Sequence, residues 1–244
     1  MWIVRHGESA GNVAAAAAHL AGLHTIDIDL RDQDVPLSEL GRQQSRAVGR
    51  WFGALPEPER PTVVVCSPYV RAMQTAELLV DAAGLSLAGP VMDERLREKE
   101  LGSLDRFTKA GIVQRFPHEA ELRARVGKFY YRPPGGESWC DVVLRLRSFV
   151  DSVQLQFRHE RVLVVAHQVI VLCFRYVLER MTEAQILAID REKDVANCSV
   201  TAYVLDADEA GRPALALTAY NFVAPLEEAH TPVTARPDVP PQPK

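Results

Sequence analysis

Met1-Trp2-Ile3-Val4-Arg5-His6-Gly7-Glu8-Ser9-Ala10-Gly11-Asn12 opens the chain, and the fold turns on how this stretch is read. Trp2-Ile3-Val4 suits one short buried strand, which stops abruptly at a cation, an imidazole, a glycine and an acid. Open α/β sheets bind ligands beyond the carboxyl ends of their strands, so ionisable groups here mark a candidate site. Arginine presents a planar fork of donors that suits phosphate and keeps its charge. A histidine can act as a nucleophile when its other nitrogen is held by a hydrogen bond. Glycine lets a bound group come close to the backbone. Arg5, His6 and Gly7 therefore form a candidate phosphoryl-accepting site, with a strand that merely ends in Arg-His as the plainer alternative.

Two later runs repeat the pattern. Thr62-Val63-Val64-Val65-Cys66 is continuously β-branched, as in a parallel strand covered on both faces, and leads into Ser67-Pro68-Tyr69-Val70-Arg71. Pro68 can open the following helix, which places Arg71 in its first turn. A cation there opposes the helix dipole unless an anion is bound. Arg161-Val162-Leu163-Val164-Val165-Ala166 is a third such run and ends in His167-Gln168. Between these strands the spacing predicts helices: one closing near Gly22, one from Ser38 to about Phe52, two short ones between Thr108 and Val126, and a long one capped by Ser138. The charged stretch 90–102 reads as a solvated loop. Residues 199–205 and 214–221 alternate as strands around a polar turn. From Ala224 onward proline and polar residues dominate, and this tail is expected to be disordered.

Composition narrows the function classes. The 244 residues carry a net charge of −4, which leaves no basic footprint for nucleic acid. The chain has neither a signal-peptide pattern nor an apolar run of membrane-spanning length, so a cytoplasmic location and no membrane partner are expected. Cys66, Cys140, Cys173 and Cys198 are widely spaced and read as free thiols, three of them in or beside apolar runs. No metal-ligand spacing occurs, and no metal or cofactor is expected.

Arg5-His6-Gly7-Glu8, Ser67-Pro68-x-x-Arg71-x-x-Gln74-Thr75-Ala76 and the strand-terminal His167 together resemble the histidine phosphatase superfamily over about residues 1–221. That resemblance implies a three-layer α/β/α sandwich with a mostly parallel central sheet, of the phosphoglycerate mutase-like type. It also implies a histidine phosphatase domain over residues 1–223, with 14–34 and 105–136 as cap segments and 224–244 as the tail. His6 would accept the phosphoryl group, while Arg5, Arg71 and His167 clamp it and Asn12 donates to it. Glu94, Glu98 and Glu100 compete for the proton donor on spacing alone; the resemblance selects Glu98. Gly7, Gln168 and Lys128 complete the expected substrate contacts.

The implied activity is metal-independent hydrolysis of a small phosphorylated metabolite. His167-Gln168 resembles the fructose-2,6-bisphosphatase branch more than the mutases, and the connection from Glu98 to Gly136-Glu137-Ser138 is shorter than a mutase's. Against that branch, Lys109, Trp139 and Leu172 stand where it has Tyr, Tyr and Arg. A mutase-type phosphotransferase and a catalytically silent phosphate-binding module are the alternatives. A dinucleotide-binding protein ranks last, because Gly7 and Gly11 do not make its glycine fingerprint. The oligomeric state stays open, a homodimer being among the assemblies allowed.

Overall fold

In the computed structural model, which describes residues 1–207 and 211–235, the first apolar run forms strand β1 (Trp2–Arg5). Helix α1 (Ala10–Leu20) follows, then α2 (Glu39–Ala54), β2 (Val63–Cys66), α3 (Val70–Ala83) and the two-residue β3 (Val91–Met92). Two short helices follow, α4 (Lys109–Arg115) and α5 (Pro117–Val126). Next come α6 (Trp139–Gln156), β4 (Val162–Ala166), α7 (Gln168–Leu178), α8 (Glu183–Glu192), β5 (Val200–Ala207), β6 (Pro213–Phe222) and α9 (Ala224–Glu228). Side chains set several of the starts. Ser38, Thr108, Ser138 and Thr182 each accept a backbone N–H at the head of α2, α4, α6 and α8.

The strands make one sheet in the order β3-β2-β4-β1-β5-β6. β3, β2, β4 and β1 are mutually parallel, and β5 pairs antiparallel with both β1 and β6. Alternation along β4 divides the core. Val162, Val164 and Ala166 face the layer that includes α6, α7 and α8, while Leu163 and Val165 face the layer of α2, α3 and α9. This is the expected α/β/α sandwich. No helix among the described residues is long and apolar enough to cross a membrane. Cys66, Cys173 and Cys198 are buried free thiols, with Cys140 half-buried.

Register brings the polar strand ends to one edge. Arg5 pairs with Ala166 and Cys66 with Val165, while His6 N donates to Ala166 O at 2.9 Å and Ser67 N to Val165 O at 3.0 Å. α1, α3 and α7 all begin near this edge, so three helix N-termini border the place where an anion would sit.

Two segments differ from expectation. Residues 224–235, expected to be disordered, form α9 and a strap: Leu226 is fully buried, and Gln44 Nε2 donates to Pro232 O and to Thr234 Oγ1. Composition underweights a segment anchored by a few specific contacts. The rest of the tail, 236–244, and residues 208–210 of the polar turn lie outside the described residues. The stretch 90–102, expected to be a solvated loop, contains β3 and buries Leu96, Glu98 and Lys99. Its charges are met locally, Arg95 pairing with Asp93 and Arg97 with Glu137.

α2 abuts the turn after β1 with almost no clearance. A Cβ on Gly41 would lie 2.0 Å from Glu8 O, and one on Gly7 would lie 2.4 Å from Gly41 O. Both groups are backbone and cannot swing away. Gly41→Ala should therefore cost at least the ~1–3 kcal/mol typical of overpacking. Chemical denaturation would measure the loss, and an unchanged midpoint would refute the contact.

Candidate active site

His6 is fully buried at the end of β1, and its Nδ1 lies 2.6 Å from the carbonyl oxygen of Gly7. A carbonyl only accepts, so Nδ1 carries the proton, and in the neutral ring Nε2 holds the lone pair. The turn that supplies this carbonyl is itself held. Gly7 N donates to Thr75 Oγ1 at 3.0 Å, and Thr75 Oγ1 donates to Arg71 O at 2.7 Å. Gly7 was expected to contact substrate; its N–H and carbonyl are instead spent on Thr75 and His6. Its lack of a side chain admits Gly41 rather than a ligand.

His167, the N-cap residue of α7, lies opposite, with ring centroids 5.1 Å apart and planes at 64°. Its Nε2 is 2.8 Å from Ser67 Oγ, so the end of β2 orients the second histidine. The Tyr69 ring packs edge-on against His167 at 5.2 Å, and Tyr69 O–H donates to Glu100 Oε1 at 2.6 Å. Burial and the Glu100 carboxylate push the Tyr69 phenol well above its usual range.

Two buried guanidinium groups flank the histidines. Arg5 donates through Nη1 to Val195 O, and its own carbonyl accepts from Cys198 N at 3.0 Å. Arg71 donates through Nη1 to Asp32 O at 2.5 Å and through Nη2 to Asp32 Oδ2 at 3.1 Å; Oδ1 lies 3.0 Å from Nη1. The sequence placed Arg71 but not its partner. Asp32 comes from the expected cap segment, and its carboxylate takes the fork that would hold a phosphate.

Glu98 is 2 % exposed. Its Oε1 accepts Lys99 N at 2.7 Å, and Oε2 lies 3.5 Å from Val169 N in the first turn of α7, which places the carboxylate beside His167. Burial pushes the neighbouring Lys99 ammonium down to about 8, with Glu98 opposing the shift and Arg123 reinforcing it.

Asn12 occupies the first turn of α1, where Ser9 N donates to its Oδ1 at 3.0 Å. The last two expected contacts are tied to acidic residues. Lys128 pairs with Asp190 and lies 5.4 Å above the Trp139 ring, and Gln168 Nε2 donates to Asp194 Oδ1 at 2.9 Å. Thus Arg5, His6, Asn12, Arg71, Glu98 and His167 gather at one edge, while Lys128 and Gln168 are braced by α8 and the segment after it.

The two expected cap segments meet over this edge. Thr108 N donates to His24 O at 3.0 Å and Ile26 N to Arg106 O at 2.8 Å. A pocket beside them is lined by Asn12 and Arg71 together with Ile26, Ile28, Leu30, Asp32 and Asp105. Burial, with the Asp32 charge adding to it, raises the Asp105 carboxyl.

Residues 1–217 match the histidine phosphatase superfamily, branch 1. A 6-phosphofructo-2-kinase/fructose-2,6-bisphosphatase of Caenorhabditis elegans is 34% identical over 174 residues, 71% of this chain and 32% of that protein. The chain thus spans about a third of that relative's length. A 2,3-bisphosphoglycerate-dependent phosphoglycerate mutase of Methylobacterium radiotolerans is 33% identical over 187 residues, 75% of this chain and 81% of that protein. Among solved structures, a mycobacterial glucosyl-3-phosphoglycerate phosphatase in complex with VO3 superposes with a TM-score of 0.68 at 27% identity. The match covers 91% of this chain and 98% of that one.

Replacing Asp32 by alanine removes the internal competitor for Arg71. Since affinity scales with the fraction of molecules in the binding-competent state, inorganic phosphate should bind about threefold to tenfold more tightly in calorimetry. Weaker binding would mean that Asp32 holds Arg71 in its working pose.

Proposed function

The chain belongs to the histidine phosphatase superfamily, and on that premise we propose that it hydrolyses phosphate monoesters without a metal, through a phosphohistidine on His6. The observation that carries this reading is the Nδ1 contact with the Gly7 carbonyl, which leaves the Nε2 lone pair as the attacking group beside His167. Nε2 attacks phosphorus in line, a P–N bond forms and the ester P–O bond breaks. Arg5, Arg71, His167 and Asn12 neutralise charge on the equatorial oxygens, the main contribution in phosphoryl transfer. Glu98 enters protonated and gives its proton to the leaving alkoxide. In the second step Glu98 takes a proton from water, whose oxygen attacks phosphorus, breaks the P–N bond and releases inorganic phosphate.

A small metabolite is the substrate class that the cap favours. The phosphate-side residues lie buried beneath two segments hydrogen-bonded to each other, which suits a compact ester better than a folded phosphoprotein. Fructose-2,6-bisphosphate fits less well. Leu172 and Trp139 are buried apolar groups, and Lys128 is already paired with Asp190.

Wild type should hydrolyse p-nitrophenyl phosphate in EDTA, and His6→Ala should fall to background. Glu98→Gln should lose about 10²–10⁴-fold on an alkyl ester such as glycerol phosphate, and less on p-nitrophenyl phosphate, whose leaving group needs little protonation. Equal rates in wild type and His6→Ala would sink the mechanism. Labelling of His6 by a bisphosphorylated donor without net hydrolysis would point to a mutase, and no labelling by any ester to a silent binding module.

A further inference from the structure

Asn197 lies 191 residues from His6 in the chain, yet its Nδ2 donates to His6 O at 3.1 Å and to Asn12 Oδ1 at 3.3 Å. It is fully buried just before β5, the strand that pairs with β1. The directions of the surrounding hydrogen bonds fix its amide. Glu8 N donates to Gln44 Oε1, so Gln44 Nε2 is the end that donates to Thr234 Oγ1 at 3.0 Å. The Thr234 hydroxyl passes its own proton to Asn197 Oδ1 at 3.1 Å, and Asn197 N donates back to Thr234 O at 2.8 Å. Asn197 must therefore turn Nδ2 toward His6 and Asn12. Asn12 Oδ1 then accepts from both Ser9 N and Asn197 Nδ2, which points the Asn12 NH2 the opposite way. Every donor in this chain has an acceptor, and reversing one amide would set acceptor against acceptor.

We propose that Asn197 is a positioning residue for the phosphate site: it orients the Asn12 amide and fixes the backbone of His6, and Thr234 of the C-terminal strap sets its own orientation. The proposal rests on the phosphatase reading for its purpose, though its effect on anion binding can be read without turnover. The strap is thereby part of the site. It grips the turn after β1 from both sides, through Gln44 on Glu8 and through Asn197 on His6.

The test is calorimetric titration with inorganic phosphate, alongside thermal melting and p-nitrophenyl phosphate kinetics. Asn197→Asp is nearly isosteric but faces two acceptors with a third. It should stay folded and bind phosphate roughly tenfold more weakly, the size of one lost hydrogen bond. In an Asn12→Ala background, Asn197→Ala should cost less phosphate affinity than it does alone, because only the part acting through His6 remains, whereas a merely structural role would leave the two losses additive. If the Asn197 variants do not fold, Thr234→Val should weaken phosphate binding about threefold and Thr234→Ser should restore it. Additive losses, or wild-type affinity in a folded Asn197→Asp or Thr234→Val, would overturn the proposal. A coupled cycle without turnover of any ester would retain the positioning role and sink the phosphatase reading. A wild-type chain that binds no phosphate would sink both.

Discussion

One hydrogen bond, from His6 Nδ1 to the Gly7 carbonyl, decides which nitrogen of the ring carries the proton, and much of the surrounding structure keeps that carbonyl in place. Thr75 holds Gly7 from the α3 side, Gly41 seats α2 against the Gly7–Glu8 backbone, and Cys198 N secures Arg5 O from the β5 side. Each contact comes from a different part of the chain, so the geometry of one imidazole is determined by the α2–α3 layer together with the turn that leads into β5. The two glycines matter because two backbones must meet where a Cβ would overlap an oxygen.

The parts of this arrangement that are local in sequence could be read from it. Continuous apolar runs point to β1, β2 and β4, serine and threonine caps to several helix starts, polar residues at strand ends to Arg5, His6 and His167, and a cation in a helix's first turn to Arg71. Such features depend on neighbours within a few residues. Strand order does not. That β5 lies against β1, carrying Asn197 to His6, follows from how the sheet closes, and no motif near Asn197 announces it. Glu98 is a similar case. Its segment looks solvated because it is rich in charge, but Arg95 pairs with Asp93 and Arg97 with Glu137, and the Glu98 carboxylate is carried to the start of α7.

Residues 224–235 depart from their composition for a related reason. Proline and polar composition predicts weak burial, whereas order in the strap comes from the fully buried Leu226 and the contacts of Pro232 and Thr234 with Gln44 and Asn197. A handful of well-directed hydrogen bonds is invisible to a composition average. The segments around Thr25 and Phe107 are alike in this respect: two backbone bonds, which form the bridge between those residues, join them.

The two buried arginines at this edge are compensated in two ways. Leaving a guanidinium buried without compensation costs several kcal/mol, so each needs an acceptor. Arg5 is fully buried and uses the carbonyl of Val195, a backbone group, so its pose is held by main chain. Arg71 uses Asp32, whose side chain is 44% exposed and can return to water at little cost. One arginine is therefore preorganised and the other exchangeable. Preorganisation favours the developing charge of a transition state, because no reorganisation is needed at the moment of reaction. On the phosphatase reading, an anion that takes the Arg71 fork has to displace Asp32, so the segment that lines the pocket would be coupled to its filling.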